Sequence, residues 1–345
     1  MYDVAIIGAG LAGITCGQYL EQQGQKVVFL EKSRGLGGRM ATRRLHNTIA
    51  DHGAKFLTIQ GTQTEELIIN LMARGVITPW QGMKDCYVAP LGMSTIAKHL
   101  ATGLDLRLNH RVAKILPTNQ GWSIFCDIPA PNTLQVPIAS PIQAKALVLA
   151  IPAPQAFALL SPLGNLEANF LDPPYLRQLA EVEYDACITV MAGYAPQFQQ
   201  TLETMTPSGQ AVTFAQDPIL AWVGIDSSKR IQPPQPVIVL HSNPNFAAQH
   251  LENTDLNFLG LELLNRAALH LLPELNSPEW FQVHRWRYAQ PKTSLNVSCF
   301  PAATPSPLVC CGDWCQANSP EKLSGGFINN ALTSGLAAAQ HILKN

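Results

Sequence analysis

The opening stretch of roughly forty residues constrains this chain more than any other. Val4 to Ile7 is a short apolar run that ends abruptly in glycines, the pattern of a strand buried on both faces. Ile14 to Gln23 then reads as a helix and Lys26 to Leu30 as a second buried strand. Gly8, Gly10 and Gly13 stand between the first strand and the helix in the spacing Gly-x-Gly-x-x-Gly. Strand, glycine turn, helix and strand in this order make the βαβ unit that binds dinucleotides. Gly8 allows the tight turn, Gly10 lets the backbone approach a pyrophosphate, and Gly13 lets helix pack on strand. Leu11 and Ala12 open a helix whose unpaired N–H groups and positive dipole end face the phosphates. Glu31 closes the second strand, where a carboxylate can accept both ribose hydroxyls and disfavours a 2′-phosphate.

What surrounds this unit bounds the function. The chain has 345 residues, 47% of them hydrophobic and 14% charged, so a large core and a compact structure are expected. Net charge is 23 − 24 = −1, with no block of like charges, which argues against nucleic acid or an anionic membrane as main partner. Lys32, Arg34, Arg39, Arg43 and Arg44 form a local basic cluster beside the phosphate site, or else a solvated basic loop. Eight cysteines in a chain this long do not suggest a disulfide scaffold. The first strand begins at once, and no apolar run approaches the length of a membrane span, so a cytoplasmic setting is expected. Cys310, Cys311 and Cys315 lack the spacing of a metal or redox motif and read as buried thiols; no metal site is expected.

Further along, Ile49 to Phe56 reads as an extended segment with a kink at Gly53, where backbone can approach a flat ligand. Glu65 to Arg74 reads as an amphipathic helix with Leu67, Ile68, Leu71 and Met72 on one side, and Ser94 as the cap of a helix to Leu100. Asp105–Asn109, Arg111–Leu116, Trp122–Cys126 and Ala144–Ile151 read as strands, with a proline-rich loop from Pro129 to Pro141. Leu179–Met191, Ala221–Ile225 and Val237–Ser242 are expected strands, and Asp255–Leu272 a long helix. Pro307–Cys311 reads as a buried strand with Gly312-Asp313 at its end, followed by an alanine-rich helix from Phe327 to Leu343. Asp313 there either points at a cofactor or caps a loop. The expected architecture is α/β. A Rossmann-type dinucleotide-binding domain, parallel sheet plus β-meander (an FAD-binding domain, if the family resemblance given below holds), would comprise residues 1–75, 94–158 and 296–345. An α+β substrate domain on an antiparallel sheet would comprise 76–93 and 159–295.

Several segments resemble one family. Glu31 to Arg44, Asp51-His-Gly-Ala54, Ala150 to Gln155, His284-Arg-Trp-Arg-Tyr-Ala289, Cys311-Gly-Asp-Trp314 and Ser334 to Ala339 occur in this order. The set is similar to the renalases, a branch of the FAD-dependent amine-oxidase superfamily, and spans almost the whole chain. The resemblance implies non-covalent FAD. The glycine turn and Lys32, Gly37 and Gly38 would lie around the cofactor, with Glu31 on the adenosine ribose and Arg39 by the pyrophosphate or flavin. Backbone of Val112 would meet the adenine, and Gly312 and Asp313 the ribityl chain. It also implies oxidation of isomeric 2- or 6-dihydro NAD(P)H, with O2 as acceptor and hydrogen peroxide as product. No nucleophile–base set stands out, which suits a substrate that donates hydride readily. His52, Lys55, Arg285, Trp286 and Tyr288 are candidates for the substrate pocket, though the arginines of this segment equally read as snorkelling from a core strand.

Two departures from the family pattern stand out: Lys55 where a glutamine is usual, and Asn329-Asn330 where the last helix usually opens with a Glu-Gly pair, after a loop (Gln316 to Gly326) that looks lengthened. Two other functions compete: oxidation of an amine or another reduced metabolite, and a flavin-binding regulatory protein that turns over poorly.

Overall fold

Small and branched apolar side chains fill β1 (Tyr2–Ile7), whose last four residues are buried. The glycine turn delivers the chain into α1 (Leu11–Gln22) and back along β2 (Val27–Leu30). β1 runs parallel to β2, Val4 opposite Val27 and Ile7 opposite Leu30, so the expected βαβ unit forms. The computed structural model describes residues 1–127, 140–165, 170–203, 205, 210–317 and 326–345.

A helical turn at Gly38–Met40 leads into a hairpin of β3 (Thr42–Leu45) and β4 (Thr48–Asp51). His46 and Asn47 at its tip have φ of 43° and 62°, the primed turn that matches strand twist. α2 (Thr62–Ala73) buries Ile68 and Leu71. Met72 is exposed, so the apolar stripe is narrower than the sequence pattern predicts. β5 (Thr78–Pro79) and β6 (Tyr87–Val88) form a small ribbon. In α3 (Ser94–Leu100), Ser94 is the first helical residue and not the cap; its N–H donates to Thr42 Oγ1.

β7 (Leu106–Arg107), shorter than expected, joins β2 in parallel. The meander continues through β8 (Arg111–Thr118) and β9 (Gly121–Asp127), paired antiparallel. Of the expected proline-rich loop, 129–139 lie outside the described residues. β10 (Ile142–Leu149) then returns beside β1 in parallel, Ala146 opposite Val4. α4 (Ala153–Leu160) and α5 (Pro173–Ala180) follow. Leu179, expected in a strand, is buried in α5: two prolines in its first turn fix helical φ where an N–H is not needed. The strand begins only at Tyr184.

That strand, β11 (Tyr184–Gly193), belongs to a second sheet. After α6 (Gln199–Glu203) come β12 (Ala211–Thr213), β13 (Leu220–Ile225) and β14 (Val237–Ser242). α7 (Pro244–His250) and α8 (Leu256–His270) precede the last strand of this sheet, β15 (Trp280–Pro291). Asp255 caps α8 by accepting from the Phe258 N–H. The sheet is antiparallel in the order β12-β13-β14-β11-β15. One face packs Ile188, Val190 and Leu240 against Leu259, Leu263 and Leu264 of α8. The other meets the hairpin, with Met191, Trp222 and Val239 against Ala50 and Trp80.

The chain ends in the first sheet. β16 (Phe300–Ala302) and β17 (Leu308–Cys310) complete the order β16-β17-β10-β1-β2-β7, with β17 parallel to β10. α9 (Phe327–Lys344) lies on α1 so closely that a Cβ on Gly335 would stand 2.2 Å from the Ala12 carbonyl oxygen. Cys310, Cys311 and Cys315 are buried and unbridged, and burial pushes the Cys310 thiol up to about 12. No helix is long and apolar enough to cross a membrane, among the described residues.

Candidate active site

The glycine turn has the shape its sequence predicts. Gly8 has φ +102°, and a Cβ there would meet the Ala150 carbonyl oxygen at 2.5 Å; at Gly13 it would meet the Gly8 oxygen at 2.2 Å. Gly10 is different: nothing lies within 4 Å of where its Cβ would be, so this side of the turn is open to a ligand. No side chain caps the first turn of α1, which leaves the N–H groups of Leu11 and Ala12 to an anion. Glu31 is buried, one oxygen accepting from the Ala9 N–H at 2.9 Å and the other from the Ser33 N–H at 2.8 Å. Gly37 donates to the Ala9 carbonyl, and Gly38 stands next to the Gly10 Cα. His110 donates to the Glu31 carbonyl, which brings the start of β8, with Val112, beside the same strand end. Lys32 is exposed. An open glycine, an uncapped helix and a buried acid at the second strand end fit a dinucleotide.

Arg39 and Asp313, expected at different parts of the cofactor, are in contact. Their bidentate pair has N–O distances of 2.6 and 2.8 Å, and Arg39 also donates to the Ala289 carbonyl at 3.2 Å. Gly312, just before Asp313, donates to Ser334 Oγ of α9 at 3.1 Å. The Arg39 guanidinium lies 6.0 Å from the Tyr184 ring, which meets Tyr288 edge-on at 5.5 Å. Burial, reinforced by Asp313, pushes the Tyr184 phenol up.

The second sheet contributes a polar wall. Trp222 pairs with His241, His241 with Thr189, and Thr189 with His284, so four residues from β13, β14, β11 and β15 form a row on one face. His52 stacks on Trp286 at 5.3 Å and meets His284 edge-on at 4.8 Å; the Trp286 indole N–H donates to the His52 carbonyl at 2.8 Å. Lys55 Nζ lies 4.9 Å from the Trp222 ring. Burial, then His284 and Arg43, holds His52 down at about 3. Burial with Arg43 and Arg285 holds His284 at about 4. His241 falls far below its usual value through burial and Lys55, and its Nε2 is buried without a hydrogen-bond partner. Burial lowers Lys55 to about 8, Cys187 opposing and Lys229 adding to the shift. At neutral pH the wall therefore presents uncharged imidazoles and a mostly protonated lysine.

Arg285 does not join this group. Alternation along β15 turns it away from His284 and Trp286, and it donates to the carbonyls of Leu251 and Asn253 at 2.9 and 2.8 Å. Arg287 pairs with Glu252 at the surface. Tyr184, Thr189, His241 and Cys187 come from strands in which no local motif marks them. Asp226, Lys229 and Arg230 also escape the sequence reading. With Asp51 they form a charge cluster in which Asp51, Asp226 and Lys229 are buried and Arg230 nearly so: Lys229–Asp226 at 2.7 Å, and Arg230 at 2.7 Å from both carboxylates. Asp51 also accepts from Thr42 Oγ1 and the Met93 N–H, which ties the hairpin and the start of α3 to the second sheet. Asn329, one of the two unusual asparagines, accepts from the Thr64 N–H at 3.3 Å and so caps α2 from a distance.

Comparison with known proteins adds the context. A family model described as NAD(P)-binding Rossmann-like domain matches residues 6–69, and one described as flavin containing amine oxidoreductase matches residues 62–343. Protein anon-37Cs of Drosophila melanogaster is 37% identical over 76 residues, which span 21% of this chain and only 15% of that protein. The structure of wild-type putrescine oxidase bound to putrescine superposes with a TM-score of 0.71 at 14% identity, covering 100% of this chain and 99% of that one. Cyclohexylamine oxidase from Brevibacterium oxydans IH-35A gives a TM-score of 0.68 at 14% identity, covering 99% of both chains. At such identity the likeness is one of fold.

Proposed function

Because the chain belongs to the family of flavin containing amine oxidoreductases and is an FAD-dependent oxidoreductase, we propose that it is a renalase-like oxidase of isomeric NAD(P)H. In this reading the 2- or 6-dihydro forms are converted to NAD(P)+ with O2 as acceptor. When bound, FAD would supply the hydride acceptor, flavin N5, and the route by which the electron pair reaches O2 to give hydrogen peroxide.

The charge pattern of the wall carries this reading. Asp51, Asp226 and Asp313 are each ion-paired with Lys229, Arg230 or Arg39. None is left to attract an ammonium group, whereas Lys55 adds positive charge and the imidazoles stay neutral. Such a surface receives a neutral ring carried by an anionic nucleotide better than a protonated amine. The flat, stacked pair of His52 and Trp286 offers the ring a face, and orientation is the main demand of a substrate that gives up hydride readily. Amine oxidation is the second reading. The aromatic box of His52, His284 and Trp286 favours it, since such rings also receive cations.

Anaerobic mixing separates the two. Holoenzyme is mixed in turn with ordinary NADH, the 2- and 6-dihydro isomers and a panel of amines while the visible flavin band is followed. Rapid bleaching by the isomers alone is expected. Bleaching by an amine moves the protein to the second reading, and a flavin reduced by none of them overturns both.

Lys55 has its own test. A protonated lysine at the flavin favours the reduced anionic cofactor. Lys55→Gln is therefore expected to lower the flavin midpoint potential at pH 7 by roughly 30 mV, the two-electron equivalent of about 1.4 kcal/mol. Lys55 loses its proton as pH rises through about 8. The gap between wild type and variant should therefore close above that pH. Equal potentials at pH 7 would remove Lys55 from the flavin's surroundings.

A further inference from the structure

We infer that Arg43, held by Gln282 beside His284, is the phosphate-recognition residue of the substrate site, taking the phosphate next to the ribose of a dihydronicotinamide nucleotide. The inference rests on the proposed function and adds to it the residue that selects a nucleotide over a bare reduced ring.

Four observations carry it. Arg43 is half-buried as a residue, and its side-chain partner is a neutral amide, Gln282 Oε1 at 2.9 Å. No carboxylate pairs with it among the described residues, in contrast to Arg39, Arg230, Arg266 and Arg287. Its remaining N–H donors form the fork that matches a phosphate. Arg43 is also near enough to both His52 and His284 to oppose their protonation, so it stands over the same wall that His52 and Trp286 complete.

The spacing along β15 then sets the length of the occupant. Gln282, His284 and Trp286 alternate on one face, and the stretch from Trp286 to Gln282 covers about 13 Å of strand. A ring, a ribose and a phosphate in line can span that distance. The ring would lie at the Trp286–His52 end and the phosphate at Arg43, with neutral His284 between them, able to donate or accept toward the ribose. An unpaired, half-buried cation at the far end of an aromatic stripe is costly to keep and useful for an anion.

The test uses two probes that differ by one phosphate, nicotinamide mononucleotide and nicotinamide riboside. Their dissociation constants for the holoenzyme are read from the perturbed flavin band and from calorimetry, in wild type, Arg43→Gln and Arg43→Lys. Wild type should prefer the mononucleotide. Arg43→Gln should weaken the mononucleotide roughly ten-fold or more and leave the riboside unchanged, the loss of a charge-assisted hydrogen bond. Arg43→Lys should recover part of the loss, because it keeps the charge without the fork. Equal weakening of both probes, or a wild type that binds neither or does not distinguish them, overturns the assignment. If the isomeric dinucleotides still bleach the wild-type flavin in that event, only the Arg43 subsite has failed. If they do not, the proposed function has failed with it.

Discussion

Glu31→Ala should purify almost colourless, with a flavin-to-protein ratio at least ten-fold below wild type. The carboxylate is buried and holds two backbone N–H groups, from Ala9 in the glycine turn and Ser33 in the following loop. Alanine leaves the buried Ala9 N–H without its partner, at about 1–3 kcal/mol, and releases the Ser33 N–H at the exposed edge of the site, which loosens the turn itself. For affinity, loss of one charge-assisted hydrogen bond to the ribose, at about 1.5–3 kcal/mol, is a factor of roughly 10 or more. Glu31→Gln should be intermediate, since its amide oxygen serves one N–H while its NH2 confronts the other. Titrating apoprotein with FAD checks the ordering, and melting without FAD shows how much of the loss is the turn itself. Full flavin occupancy in Glu31→Ala would remove Glu31 from the cofactor site.

Asp226→Ala should cost roughly 3–5 kcal/mol of stability, the toll of leaving a buried charge without its partner. Lys229 and Asp226 are wholly buried and 2.7 Å apart, and Arg230 bridges Asp226 to Asp51. Removing Asp226 leaves two cations facing the single carboxylate of Asp51. The double variant Asp226→Ala/Lys229→Met restores neutrality and should recover most of the loss, because a buried pair exchanged for apolar groups is often near neutral. Urea unfolding of the holoenzyme at fixed excess FAD reads both. If the single and double variants are equally unstable, packing and not charge holds this junction together.

These two sites mark the division between what was legible in the chain and what was not. Glu31 and the glycine turn lie within one local unit, where each residue type has a geometric reason to stand where it does. The parallel return of β10 and β17 and the antiparallel second sheet followed from apolar runs and prolines in the same way. Leu179 was misplaced because an apolar run is ambiguous in period, and the prolines that settled it precede the run. The Asp51–Asp226–Lys229–Arg230 cluster could not be read, since Asp51 meets Arg230 across 179 positions and no spacing rule reaches that far. The wall behaves likewise. His52 and Trp286 stood out as residue types, but Thr189 and His241 acquire meaning only through strand register. Arg285 had the right chemistry on the wrong face of its strand.

The contact of Gly335 with Ala12 has a consequence for how this protein is made. The cradle that begins at Gly8 is flanked by β10 and backed by α9, so its last wall is synthesised long after its first. A ribosome adds roughly 5–20 residues each second, so the glycine turn waits many seconds for its neighbours. Until β10 is made β1 presents Val4 and Ile6 with no partner on that side, and α9 follows much later still. FAD should therefore be captured late, as the event that seals two distant pieces of chain together. Cofactor supply would then govern the yield of folded protein as well as its turnover.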